Sequence, residues 1–505
     1  MQIEPSAGAF ATTYARGAAQ VVWTTLVADL ETPVSAFLKT GADKPLSFLL
    51  ESVEGGAVRG RYSIIGLDPD VVWRAHGDKA EINRTARQDS HAFKPCGESP
   101  LAALRTFINE SRFILPESLP PMAAGVFGYL SYDMVRLMEK LPAPNPDPIG
   151  IPDAILVRPT VVIIFDSVLD TLTLVTPVRP AKGLTADAAL ARAVDRLTAV
   201  VDALDKPLAK EPASATAAAL KIAATSNTSA GEFHAMVARA KEYIAAGDVF
   251  QVVLAQRFEA PFTLPPFALY RALRRVNPAP FLFYLDYAGF AVAGSSPEIL
   301  VRTRGDTVTI RPIAGTRRRG PTPHEDKALE EDLLADPKER AEHLMLLDLG
   351  RNDVGRVAAI GTVTVTDQFF IERYSQVMHI VSNVEGKLDP RHDALDALAA
   401  GFPAGTVSGA PKVRAMEIID ELEKDKRGLY AGCVGYFSAA GDMDSCIVLR
   451  TALIKDGMMY VQAGAGIVAD SDPDSEQQEC VNKAKALFRA AEEARRFASG
   501  AEKGQ

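Results

Sequence analysis

The run Val461-Gln-Ala-Gly-Ala-Gly-Ile-Val-Ala-Asp470, continued as Ser471-Asp-Pro-Asp-Ser-Glu-Gln-Gln-Glu-Cys-Val-Asn-Lys-Ala-Lys-Ala486, decides how the chain is read. It predicts a buried strand that runs into two glycines, a polar turn through Pro473, and a helix beginning near Asp474 or Ser475. Glu476 and Glu479 stand three apart on that helix and share a face, with Lys483 one turn further along the same stripe. Two carboxylates that close repel each other unless they are solvated or hold a cation. Read alone, the segment fits a solvated helix face as well as a site for a hard metal ion.

The chain around it is large and mildly acidic. Its 505 residues, 47% of them apolar, can bury more than one domain's worth of core. A formal net charge of −9 argues against a nucleic-acid partner, and the basic run Arg317 to Arg319 is too short to reverse that. Small molecules are the expected ligands. The four cysteines, at 96, 433, 446 and 480, show neither disulfide nor zinc-ribbon spacing, which fits a reducing, cytoplasmic setting. The most apolar stretch, Ile155 to Val175, is broken by Arg158, Asp166 and Asp170, so no membrane span is expected, and no signal peptide precedes it.

Three regions follow from the order of signals. Residues 1–205 read as an N-terminal domain of short strands, among them Leu46 to Glu51, Arg61 to Gly66 and Ile155 to Asp166, closed by an amphipathic helix from Thr185 to Leu204. Residues 206–228, rich in proline, lysine and alanine, read as a linker. Residues 229–505 open on the capping box Ser229-Ala-Gly-Glu232 and alternate strands with helices, including a long helix expected from Pro323 to about Leu349. Antiparallel strands with intervening helices, without a regular strand-helix alternation, place the fold in the α+β class.

Several further residues carry chemistry. Glu339 and Glu342 form a second carboxylate pair, and the almost wholly apolar sequence after Glu342 places it at the mouth of a core. Four carboxylates on two helix ends suit magnesium, which binds through one or two of them plus substrate oxygens. Pro312-Ile-Ala-Gly-Thr316 offers backbone amides to an anion, or is an ordinary turn. His379 lies in an alternating strand and fits a core position or a catalytic one. Arg450 sits in an apolar strand and needs a carboxylate partner, from the protein or from a substrate. Gly405-Thr-Val-Ser-Gly-Ala-Pro411 leads into a helix whose free amides could face an anion, yet its spacing matches neither the phosphate-binding lysine loop nor the dinucleotide fingerprint.

Together these segments resemble the chorismate-utilising enzymes and, within them, the large components of anthranilate synthases. The resemblance runs through Gly247-Asp-Val-Phe-Gln251, Gly294-Ser-Ser-Pro-Glu298, Pro312-Ile-Ala-Gly-Thr316, Asp348-Leu-Gly-Arg-Asn-Asp353, Phe402-Pro-Ala-Gly-Thr-Val-Ser-Gly-Ala-Pro-Lys412 and Ala463-Gly-Ala-Gly-Ile467, and more weakly through Leu49-Leu-Glu-Ser52. It implies antiparallel sheets packed as a sandwich with helices outside. It implies Mg²⁺ held by Glu342 and Glu479, with Glu339 and Glu476 beside them, and a ring carboxylate of chorismate that also contacts Gly315 and Thr316. Tyr430, Arg450 and the backbone of Gly464, Ala465 and Gly466 would clamp the enolpyruvyl carboxylate, Lys483 would add a cation, and His379 and Thr406 would flank the ring. His379 is the expected proton carrier, since an imidazole near pKa ~6.5 both gives and takes at neutral pH. Aminodeoxychorismate synthases, the alternative within the family, commonly carry a nucleophilic lysine where this chain has Ala314. A silent amino-acid-binding regulator is the alternative outside enzymes, and the retained glutamates, His379 and Arg450 speak against it. The resemblance also implies feedback by tryptophan at Ser52, Pro280, Phe281 and Leu282, with Phe281 and Leu282 standing where relatives often have tyrosine and methionine. No glutaminase segment is visible, so ammonia is expected from a separate amidotransferase subunit in a hetero-oligomer.

Overall fold

The computed structural model describes residues 1–54, 58–208, 222–374 and 377–498. Their strands form two twelve-stranded antiparallel sheets. The first runs from Gln20–Val27 through Thr171–Val178, Val161–Asp166, Val58–Leu67 and Phe48–Glu54. It continues into Phe281–Asp286, Phe290–Ser296, Thr451–Lys455, Met458–Ile467, Gln251–Pro261 and Thr225–Ser226. The second runs from Ile313–Arg318 through Val377–Lys387, Thr307–Ile310, Ile299–Arg304, Met443–Ile447 and Cys433–Ser438. It then passes through Gly125–Leu130, Ala154–Arg158 and Val71–His76 to the edge.

Period-two alternation stacks these sheets as a sandwich. Phe48, Ile64, Val162, Ile164 and Phe283 of the first sheet meet Val72, Phe127, Tyr129, Val157 and Val434 of the second in one apolar layer. Phe48 and Phe127 stack across it with ring centroids 4.8 Å apart. The intervening residues point outward. Leu49, Ile163 and Phe165 pack under helices that contribute Phe10, Phe37, Leu197, Leu273 and Leu487. Trp73, Leu130 and Leu156 pack under Leu104, Phe107, Leu347 and Leu398. Helices therefore cover both outer faces, and the expected α+β sandwich is the architecture found.

Both halves of the chain contribute to both sheets, because Phe281–Asp286 pairs with Phe48–Glu54 and Cys433–Ser438 with Gly125–Leu130. The boundary expected at 206–228 is one of chain order, and residues 209–221 of it lie outside the described residues. The run Ile155 to Asp166, expected as one strand, is two, and they lie in different sheets: Ala154–Arg158 and Val161–Asp166. The long helix expected from Pro323 is likewise two helices, Pro323–Ala335 and Pro337–Gly355. Pro337 has no N–H to donate, and Asp336 turns extended there and accepts from Lys338 N and Glu339 N. Helix Pro473–Glu493 starts the same way, with Asp472 as its cap and Pro473 in its first turn, one residue earlier than expected.

A buried ion pair ties the segment after helix Lys412–Leu422 to strand Gln251–Pro261 and to Val407. Glu423 takes both Arg427 Nε, at 2.9 Å, and Ala255 N, at 2.9 Å, while the Arg427 guanidinium donates to Val407 O and Val253 O at 2.7 Å each. Removing one partner of such a pair strands the other charge in low dielectric. Glu423→Ala is expected to lower stability by about 3–5 kcal/mol, read from the urea unfolding transition.

Candidate active site

A pocket of about 990 Å³ opens where the second sheet's edge, the two Asp-Pro helix starts and the end of strand Met458–Ile467 converge. All of the expected substrate, catalytic and metal residues line it except Ala465. Alternation along the strand turns Ala465 the other way, into a core with Leu254 and Ala415, so only Gly464 and Gly466 face the cavity. Both positions leave room that a side chain would take: an added Cβ at Gly464 would lie 2.7 Å from the Tyr430 hydroxyl, and one at Gly466 would lie 2.2 Å from Gln251 Nε2.

The carboxylate pairs sit on facing walls with different partners. Glu339 is tied to the second sheet's edge strand, taking Arg317 Nη1 at 2.9 Å and Thr316 N at 3.3 Å. Glu479 pairs with Lys483 at 2.7 Å, and that ammonium also donates to Gly464 O at 3.0 Å. Among the described residues the Glu342 carboxylate makes no hydrogen bond or ion pair. Burial, then the charges of Glu339 and Glu479, push its pKa up. Burial and Glu479 do the same to Glu476. Among the described residues no three acidic, histidine or cysteine side chains stand close enough to hold a metal ion by themselves. The donor set is oxygen only and partly uncompensated, which fits a hard divalent cation bound by one or two carboxylates and completed by substrate or water oxygens.

His379 lies on strand Val377–Lys387 opposite Thr316. Its Nδ1 is 3.0 Å from Gly315 O and 3.1 Å from Thr316 Oγ1. A carbonyl only accepts, so Nδ1 carries the hydrogen and Nε2 is left with a free lone pair. Burial holds the ring's pKa down to about 4. The ring is therefore neutral at pH 7: it takes a proton but has no spare one to give, which narrows the two-way role expected of it. Gly315 reaches its position with φ of +71°, and a Cβ there would press on Glu339 Oε2 at 3.2 Å.

Arg450 enters the pocket from a left-handed backbone, φ +48°, and among the described residues its guanidinium has no hydrogen-bonded or ion-paired partner. The nearby acid is Glu298, whose carboxyl accepts from Thr406 Oγ1 at 3.0 and 3.2 Å. Burial pushes Glu298 up to about 8 in spite of Arg450 and Lys483. At neutral pH it is mostly protonated, so Arg450 is left to an outside anion.

A second cavity, of about 320 Å³, lies at the junction of the two halves. Ser52 and Leu282 line it together with Glu51, Arg61, Asp166 and Arg274, and Ser52 Oγ donates to Tyr62 O at 3.0 Å. Pro280 and Phe281, expected there as well, are not in its wall. Phe281 packs toward the layer between the sheets because it alternates with Leu282.

A family model for chorismate-binding enzymes matches residues 54–489. This chain belongs to that family. Anthranilate synthase component 1 of Cereibacter sphaeroides is 58% identical over 489 residues, 97% of either chain. The crystal structure of anthranilate synthase component I from Streptococcus pneumoniae superposes with a TM-score of 0.75 at 36% identity, covering 92% of this chain and 99% of that one. The menaquinone-specific isochorismate synthase of Escherichia coli, at 20% identity and a TM-score of 0.70 over 94% of this chain and 95% of that one, shares the fold.

In this chorismate-binding enzyme the site residues that the sequence did not single out are Glu298 and Gln251. Glu298 belongs to the Gly294-Ser-Ser-Pro-Glu298 motif, and only its burial reveals a raised pKa. Gln251 lines the pocket with a buried Oε1 that has no hydrogen-bond partner among the described residues. Below pH 4.5 Glu298 is neutral in folded and unfolded chains alike. Between 4.5 and about 8 only the unfolded chain ionises, so the folded state loses stability as pH rises. Glu298→Gln is expected to abolish that loss, so that its melting temperature relative to the wild type climbs from pH 4.5 to pH 8 in thermal melts.

Proposed function

We infer that the chain is the large, chorismate-binding component of an anthranilate synthase, a lyase that joins ammonia to chorismate and releases water and pyruvate. The observation that carries this reading is an unpaired guanidinium, Arg450, in one pocket with a neutral acid, Glu298, and a neutral base, His379. A substrate with two carboxylates, a hydroxyl to be expelled and a ring proton to be removed uses all three. Arg450, the Tyr430 hydroxyl and the backbone at Gly464 to Gly466 hold the enolpyruvyl carboxylate. The amides at Gly315 and Thr316 hold the ring carboxylate. Magnesium, bound by Glu342 and Glu479 with Glu339 and Glu476 beside them, would neutralise that carboxylate.

Glu298 gives its proton to the C4 hydroxyl as ammonia adds at ring C2, and water leaves. The ammonium formed at C2 returns a proton to the Glu298 carboxylate, His379 Nε2 takes the C2 proton as the neighbouring C–O bond breaks, and that proton passes to the methylene carbon of the departing enolpyruvate, which leaves an aromatic amine and pyruvate. Ala314, buried in the pocket wall, has no nucleophile, so ammonia itself attacks the ring, as in anthranilate synthases rather than aminodeoxychorismate synthases. Burial raises all four thiols, to about 12 at Cys433 and Cys480, which suits none of them to glutamine hydrolysis. Ammonia then comes from an amidotransferase component in a hetero-oligomer. The cavity at Ser52 and Leu282 is the tryptophan site of this reading, and the setting is the cytoplasm; among the described residues no helix is long and apolar enough to cross a membrane.

Purified protein given chorismate, magnesium and ammonium salt is expected to form blue-fluorescent anthranilate. A non-aromatic aminated product, or none, overturns the assignment. Glu479→Gln is expected to remove this activity and to weaken magnesium binding in calorimetry by at least about tenfold, with the fold intact by circular dichroism.

A further inference from the structure

At one end of the sandwich the chain crosses twice between the sheets, and the charged groups gathered there are out of balance. Strand Val58–Leu67 of the first sheet leads through Asp68 and Asp70 into Val71–His76 of the second, and Ala154–Arg158 of the second returns through Thr160 into Val161–Asp166 of the first. The crossings brace each other: Thr160 Oγ1 donates to Asp68 O at 2.7 Å, and Asp70 N donates to Arg158 O at 3.1 Å. Both cavities lie elsewhere. Strand Thr171–Val178 starts in the wall of the smaller cavity at Thr171 and arrives here at Thr176, about 17 Å further along, where the Thr176 hydroxyl donates to Thr160 O at 2.8 Å.

Arg179 and Arg196 converge on this junction from opposite covers. Arg179, just past the strand, reaches the helix over the second sheet, donating to Ser111 O at 3.1 Å with its guanidinium 5.4 Å from the centre of the Phe113 ring. Arg196, on helix Ala186–Leu204 over the first sheet, donates through Nε to Thr176 Oγ1 at 2.9 Å. Among the described residues neither guanidinium has an ion-pair partner. The acids nearby are already taken, since Asp70 accepts from Arg158 Nε and Nη2 at 2.8 and 2.9 Å, and Glu110 accepts from both Nη groups of Arg84 at 2.7 and 3.0 Å. The other charges acting on the pair are cations: Arg158 on Arg179, and Arg87 and Arg192 on Arg196. Arg87 and Arg192 are exposed and make no hydrogen bond or ion pair among the described residues. Burial pulls Arg179 down to about 10 and lowers Arg196 as well, and the neighbouring guanidiniums push each the same way.

Guanidiniums gathered without counter-ions repel, and an oxyanion that takes donors from two of them at once relieves the repulsion. A carboxylate brings one charge to such a place. A phosphate group brings about two, with three acceptor oxygens that match the planar donor forks of arginine. We propose that Arg179 and Arg196, rimmed by Arg87 and Arg192, bind a phosphate-type oxyanion, either free phosphate or the phosphoryl end of a small metabolite. The site shares no residue with either cavity, so it stands apart from the chorismate reading.

The test titrates the full chain calorimetrically with inorganic phosphate and, separately, with glycerol 3-phosphate, in about 0.15 M KCl so that diffuse attraction is screened. Wild type is expected to bind at least one of them saturably, with a Kd below about 1 mM. Equal affinity for both points to a phosphoryl end as the ligand, and binding of inorganic phosphate alone points to the free ion. Arg179→Gln and Arg196→Gln are each expected to weaken binding at least about tenfold, with circular dichroism unchanged. Arg192→Gln removes an exposed side chain that holds nothing in the protein, so it keeps the fold, and it is expected to weaken binding about threefold. Arg450→Gln is expected to leave the affinity within about twofold of wild type, which separates this site from the active-site pocket. Absence of saturable binding to either probe overturns the proposal. So does binding that Arg192→Gln and the folded members of the other pair leave intact, or that Arg450→Gln abolishes.

Discussion

Both sheets are covered on both faces, and that constraint decides where polar chemistry can sit. A strand packed between another sheet and a layer of helices has no wet side, so its side chains are apolar in both phases of the alternation, as at Val162, Ile163, Ile164 and Phe165. Polar groups gather where the cover ends. The second sheet's edge strand Ile313–Arg318, the last turns of strand Met458–Ile467 and two helix starts supply that opening. Strand Met458–Ile467 lies antiparallel to Gln251–Pro261 through Gly464 and Gly466, so the pocket floor is an ordinary piece of ladder whose side chains have been removed. The floor is therefore as rigid as the sheet that carries it.

The two Asp-Pro helix starts belong to the same logic. Asp336 and Asp472 cap their helices, and the proline behind each fixes where the first turn begins. The first carboxylate of each pair, Glu339 or Glu476, then sits in the first turn, near the positive end of the helix dipole, which favours the ionised form against burial. Arg317 reinforces one side by joining Asp332, Asp336 and Glu339 at 2.7 to 2.9 Å. The walls are thus braced by groups outside the pocket.

How much of this could be read from the residues depends on whether the signal is local. The glycine pair, the two glutamate pairs and the lone arginine in an apolar strand are local patterns, and the pocket gathers all of them. Pro337 was legible too, yet the charged run around it reads as continuous helix unless the missing N–H is given priority over periodicity. The split of Ile155 to Asp166 between sheets was not legible, because both parts are equally apolar and nothing local says which sheet receives which strand. The side chains of Ala465 and Phe281 turn into apolar layers through their strands' alternation, since a motif names consecutive residues whereas a strand exposes every second one. Glu298 and Gln251 were invisible for a different reason: their significance is burial without adequate partners, a property of packing and not of sequence.

The competition at Glu298 shows why that property governs function. Were Glu298 ionised, it would be a counter-ion for Arg450, and the pocket would be electrically content when empty. Burial opposes ionisation, Arg450, Lys483 and the Thr406 hydrogen bond favour it, and burial wins, holding the acid near pKa 8. The same burial lowers the Arg450 pKa, but from a value so high that the guanidinium stays charged. One desolvating environment therefore neutralises the acid and leaves the base charged. The pocket keeps a proton to give and a cation to satisfy, and only an incoming anion resolves the imbalance.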